Sequence, residues 1–192
     1  MPIATITPTA ISTSLLTVEE FVHLPEPIDG SREELVRGVI ESMPTPRFRH
    51  GEIQCNVSAA LKAFVRPRRL GRVATETGVI TEHDPDTVRG PDVVFWSAER
   101  LPLDAEVESY PENAPDLCVE VLSDSDRPRR LRQKLIEYFA RDVRMVWVVD
   151  PEARTVTVYR GPDEGRLLWE DATLSGEDVL PGFECLVAEL FA

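Results

Sequence analysis

The chain reads as an α/β protein, a central mixed β-sheet flanked by helices, on three observations. The stretch Pro115-Asp116-Leu117-Cys118-Val119-Glu120-Val121-Leu122-Ser123 is apolar on both faces, with Leu117, Val119 and Val121 on one and Cys118 and Leu122 on the other. A strand covered on both sides belongs at the centre of an α/β sheet. Segments with the two-residue period of strands also alternate with segments of helical period, in the order helix, hairpin, helix, strands, helix, strands. Finally, 192 residues are enough for one well-cored domain and short for two, and no internal repeat or boundary interrupts them.

Residues 1–16, rich in Thr, Ser, Ala, Pro and Ile, read as a flexible N-terminal tail, and 17–192 as one domain. The tail lacks the basic start and apolar core of a signal peptide. Thr17-Val18-Glu19-Glu20 has the capping-box pattern, so a short helix starts there and stops near Pro25. Residues 33–43 read as a hairpin turning at Arg37-Gly38, ended by Pro44 and Pro46. Ile53, Val57, Ala60, Leu61 and Phe64 recur at helical spacing over about 48–65, with His50 on the same face, and Pro67 and Gly71 close that helix. Residues 73–80 read as one strand, with Glu76 on the Ala74/Gly78/Ile80 face. Gly90-Pro91 introduces a short apolar strand, Asp92 to Trp96, and the polar, acidic stretch 97–114 is a long surface loop. After the Glu120 strand, Ser123 to Pro128 turns into a helix at about 129–141 whose apolar face carries Leu131, Leu135, Tyr138 and Phe139. Val143–Val149 is a buried strand, Thr155–Arg160 pairs with it, a further strand lies near Leu167-Leu168-Trp169, and Leu186–Phe191 forms a terminal helix.

No run approaches the roughly 18 apolar residues of a membrane span. Three scattered cysteines, Cys55, Cys118 and Cys185, form no metal spacing and suit a reducing cytoplasm. The net charge of −13 argues against wholesale nucleic-acid binding. Ten of the 21 cationic residues, however, sit in two acid-free stretches: Lys62, Arg66, Arg68, Arg69 and Arg72, then Arg127, Arg129, Arg130, Arg132 and Lys134. These are either solvated helix ends or local basic surfaces on an acidic body.

Glu120 lies inside a buried strand, where a carboxylate must be paired, protonated or bound to a cation. Asp92 begins a neighbouring apolar strand. Two acids from adjacent strands can converge on one point and hold a hard divalent cation such as Mg²⁺ or Mn²⁺; alternatively Asp92 caps a turn and Glu120 pairs with an arginine. Lys134 shares the apolar face of its helix, so its ammonium either points back to Glu120 or reaches water past a packed stem. His50 is either a satisfied core histidine or a group aimed into a site. Glu34, Glu76 and Tyr138 are weaker candidates for the same neighbourhood.

Pro91-Asp92, Glu120-Val121-Leu122-Ser123, Lys134 with Tyr138, and Val146-Trp147-Val148-Val149-Asp150-Pro151 together resemble the Uma2 family, described as restriction endonucleases, within the PD-(D/E)XK nuclease superfamily. Glu34-Leu35-Val36-Arg37-Gly38 and His50 match its N-terminal pattern, and the resemblance spans about residues 17–190. It departs where the motif lysine should stand, at Leu122; Lys134 matches the position to which such families move it. The resemblance implies a restriction-endonuclease-like core and metal-assisted hydrolysis of DNA. Asp92 and Glu120 would hold Mg²⁺ or Mn²⁺, Lys134 would orient water or offset phosphate charge, and His50 and Glu34 would line the cleft as an extra ligand or base. It also implies a homodimer. The competing expectations are a catalytically silent binding module and a hydrolase of a smaller phosphodiester.

Overall fold

The computed structural model describes residues 15–123 and 128–192. Residues 1–14 of the expected tail and the turn residues 124–127, with Arg127, lie outside the described residues. Leu16 is placed: its N–H donates to the Gly38 carbonyl (2.9 Å) and its side chain packs beside Phe21 and Leu35. Thr17 caps Val18–Val22 (α1) in a complete capping box, with Thr17 Oγ1 accepting from the Glu20 N–H and Glu20 Oε2 from the Thr17 N–H.

Arg32–Val36 (β1) and Val39–Met43 (β2) form the expected hairpin. Arg37 and Gly38 both take positive φ (52° and 76°), as a two-residue turn between twisted strands demands. Phe48–Arg68 (α2) follows and buries His50, Ile53, Val57, Leu61 and Val65 along one face. It runs through Pro67 rather than stopping there, and ends at Arg69 in the left-handed conformation (φ 53°). Proline sits in the last turn, where losing one donor costs little beside the packing of the whole face.

The strand expected over 73–80 is two strands. Gly71–Thr75 (β3) and Val79–Glu82 (β4) are separated by Glu76 at φ 52°, and they enter different sheets. Thr87–Arg89 (β5), absent from the sequence reading, pairs with β4 and β1. Val93–Ser97 (β6), Leu117–Val121 (β7), Pro128–Ala140 (α3), Met145–Asp150 (β8), Thr155–Tyr159 (β9) and Gly165–Leu168 (β10) follow closely as read. Thr173–Ser175 (β11) and Glu184–Leu186 (β12) add an unforeseen two-stranded ribbon before a 3₁₀ turn at Val187–Phe191.

The central sheet has the order β10-β9-β8-β7-β6-β3, with β7 and β8 parallel and the other neighbours antiparallel. Its parallel pair is joined through α3, the crossover such a pair needs. A second sheet, β2-β1-β5-β4, stands beside it. Strand alternation sorts the core by face. On one side α2 packs on Val93, Leu117, Val119, Val121 and Trp147. On the other, Leu135 and Tyr138 of α3 pack on Val94, Trp96, Cys118, Val146 and Val148. Among the described residues no helix is long and apolar enough to cross a membrane.

Candidate active site

The antiparallel register pairs Val93 with Val119, so Asp92, one residue earlier, meets the level of Glu120 on the next strand. Both acids are buried, Asp92 at 2% and Glu120 at 8% exposure, and both line one cleft of about 570 Å³. His50 and Lys134 line it too, from α2 and α3. The local reason is periodicity: His50 is one turn before Ile53 on the buried face of α2, and Lys134 is one turn before Tyr138 on the buried face of α3.

Asp92 is held by three donors. His50 Nε2 lies 2.9 Å and Arg32 Nη1 2.7 Å from Oδ1, and the Val121 N–H donates to Oδ2 (2.7 Å). Burial would raise its pKa, but the bonds from His50, Val121 and Arg32 outweigh burial and hold the carboxyl below its ordinary range. With Nε2 facing a carboxylate, His50 presents Nδ1 away from it, buried and with no hydrogen-bond partner.

Glu120 answers to α3. Lys134 Nζ is 3.1 and 3.0 Å from its two oxygens, and the Tyr138 hydroxyl donates to Oε1 at 2.6 Å. Burial pushes the Glu120 carboxyl up to about 7, Asp92 and Glu34 repel its charge, and Lys134 pulls the other way. Lys134 does not send its head to water: the ammonium sits between Glu120 and Glu34 (2.9 Å). Burial there disfavours its charge, but the two carboxylates more than compensate and raise its pKa.

Glu34 is 1% exposed and does not line the cleft. Its oxygens accept from Lys134, from Arg89 Nη1 (3.0 Å) and from the Gly90 N–H (3.1 Å). Burial works against its charge, yet these donors keep its pKa lowered. Glu76 is set back as well, accepting from Arg32 (3.3 Å) and Gln54 (2.6 Å).

Sequence reading passed over Arg32, Arg89 and Glu137. Arg89 is 1% exposed and bridges Glu34 to Glu137 of α3 (2.5 and 2.9 Å). Nothing local marks these residues, because their ion-pair partners are 44 to 60 positions away. The basic stretches separate. Arg130 and Lys134 line the cleft. Lys62 to Arg68 stand roughly 18–27 Å along the α2 axis from His50, at about 1.5 Å per residue. The lining cations are instead Arg32, Arg47, Arg49, Arg130 and Lys134 against Asp92 and Glu120; of these Arg49 also pairs with Glu52 (3.1 Å) and Arg130 with Glu41 (2.9 Å), on a body of net charge −13.

A family model described as "Uma2: Putative restriction endonuclease" matches residues 18–188. The chain belongs to the Uma2 family. Among solved structures it is similar to the crystal structure of a protein from Anabaena variabilis ATCC 29413 described as a "putative nuclease belonging to DUF820". The two share 26% identity over 92% of this chain and 97% of that one, with a TM-score of 0.78. No curated protein matches. The Uma2 match takes in Glu34, His50, Asp92, Glu120 and Lys134 and the elements that carry them.

The donor set suits a hard divalent cation. Carboxylate oxygens are the ligands Mg²⁺ and Mn²⁺ prefer, and Mg²⁺ keeps most of its shell for water and phosphate when one or two carboxylates hold it. Among the described residues no group of three His, Cys, Asp or Glu side chains is arranged for a metal, so the protein would contribute Asp92 and Glu120 and leave the rest open.

Proposed function

We propose that this Uma2 chain is a metal-dependent endonuclease that hydrolyses DNA phosphodiester bonds. The observation that carries the reading is the convergence of Asp92, Glu120 and Lys134 on one cleft whose other charged lining is arginine. The nuclease descriptions attached to the family and to the Anabaena structure support the same reaction class.

In this reading Asp92 and Glu120 hold Mg²⁺ or Mn²⁺, which when bound supplies an activated water and charge neutralisation at the phosphate. The other residues prepare those two acids. His50 and the Val121 N–H fix the Asp92 carboxylate, and Tyr138 fixes Glu120. Lys134 keeps a positive charge at the Glu120 oxygens, where it offsets charge developing on the phosphoryl group. Arg49 and Arg130 give the strand's phosphates a place to bind although the whole molecule repels them. By the family resemblance the chain would act as a homodimer, one cleft for each strand of the duplex, which sedimentation velocity would register.

Supercoiled plasmid incubated with Mn²⁺ or Mg²⁺ tests the proposal, with wild type beside Asp92→Ala, Glu120→Ala and Lys134→Ala. Metal-dependent nicking or linearisation should fall at least ~100-fold in both acid variants, the scale on which losing a catalytic group acts. Cutting that persists in them, or an inert wild type that binds metal and DNA, would sink it.

A further inference from the structure

Each site carboxylate is neutralised by a cation from within the chain, and each of those cations is shared with a second carboxylate behind the cleft wall. Lys134 lies between Glu120 and Glu34. Arg32 lies between Asp92 and Glu76. The two arrangements differ in freedom. Lys134 and both its carboxylate partners are buried. Arg32 and Glu76 are partly exposed, with side chains at 27% and 43%.

Arg32 also holds Asp92 by one atom. Nη1 alone carries the bonds to Asp92 and to Glu76, and Nε is buried without a partner. A guanidinium engaged through a single nitrogen lacks the two-point fork that makes Arg–carboxylate pairs hard to separate. Its alternative partner is fixed in place: Gln54 Nε2 donates to Glu76 Oε1 (2.6 Å) and to the Asp92 backbone carbonyl (3.0 Å), tying Glu76 to the start of β6.

We propose that Arg32 is a resident counter-cation of Asp92, competing with the divalent cation and passing wholly to Glu76 when that cation binds. The inference rests on Asp92 being a cation ligand. Glu76, which does not line the cleft, then promotes metal binding only through Arg32. The guanidinium stays on the cleft wall, available to a phosphate.

Calorimetric titration with Mn²⁺, without nucleic acid, tests this on wild type, Arg32→Gln, Glu76→Gln, the double variant and Asp92→Asn. Arg32→Gln should bind Mn²⁺ about fivefold or more tighter, within the usual range of coupling between sites. Glu76→Gln alone should bind it more weakly, since Arg32 then has only Asp92. The double variant should match Arg32→Gln, because the effect of Glu76 passes through Arg32. Unchanged or weaker binding in Arg32→Gln overturns the proposal. So does a double variant weakened by the same factor as the single Glu76→Gln change, which is the mark of simple through-space attraction. Binding that survives Asp92→Asn, or is absent from every variant, removes the Asp92 ligand reading and this proposal with it. Loss in Asp92→Asn with no response to Arg32→Gln removes this proposal alone.

Discussion

Glu120 shows how one buried position acquires a chemistry that its residue type lacks in water. Burial and two neighbouring acids bring its carboxyl to about 7, while Lys134 keeps its own proton. The consequence for stability has a definite sign. Between pH 4.5 and about 7 the folded chain binds the Glu120 proton and the unfolded chain does not, so folding is favoured at the acid end and loses this contribution as pH rises through that range. Asp92 and Glu34, whose carboxyls are lowered, act below that window and in the opposite direction. In chelator, the melting temperature of wild type should therefore fall from about pH 5 to about pH 7.5 relative to that of Glu120→Gln, which cannot titrate there. A constant difference between the two across that range would contradict the assignment.

Among the elements, α3 does the joining. It crosses between the parallel strands β7 and β8, packs Leu135 and Tyr138 on the central sheet, and meets the second sheet through the Glu137–Arg89–Glu34 bridge. Arg89 at the end of β5 thus sets how far α3 stands from β1, and with it the place of Lys134 between two carboxylates. Arg89→Met leaves the largely buried Glu137 without a cation and leaves Glu34 Oε2 with only Arg130, at 3.6 Å. Breaking such a buried pair costs about 3–5 kcal/mol, which urea unfolding would measure. Adding Glu137→Leu removes one stranded charge and should restore part of the loss.

Across the molecule, charge is partitioned rather than spread. An acidic body carries a cleft lined by four arginines and Lys134 beside Asp92 and Glu120, and the other basic stretch, at the far end of α2, stands away from it. DNA affinity should consequently depend on the cleft residues alone. Each phosphate that a side chain neutralises contributes about 0.9 to the steepness with which log K falls against log salt on duplex DNA. Arg49→Ala and Arg130→Ala should each weaken binding and flatten that dependence by about this amount, while Arg66→Ala and Arg68→Ala should leave both unchanged. Fluorescence anisotropy with a duplex in Ca²⁺, between about 50 and 200 mM salt, separates the two pairs; equal losses in both would mean that DNA runs along α2 instead.

What could be read from the chain was whatever repeats over a few residues. The run of apolar residues on both faces of Leu117–Val121 marked a central strand with Glu120 inside it, and helical spacing put His50 and Lys134 on buried faces. Such patterns are local, so they survive without knowledge of neighbours. The partners were another matter. Asp92 meets Arg32 across 60 positions and Glu34 meets Arg89 across 55, and nothing in either neighbourhood marks them as a pair. The break at Glu76 was equally hidden, since the alternation through 73–80 is the same whether the chain runs straight or turns into another sheet. Local side-chain period depends on backbone geometry alone; which charge neutralises which depends on the packing of two sheets and two helices, and that exists only once the chain has folded.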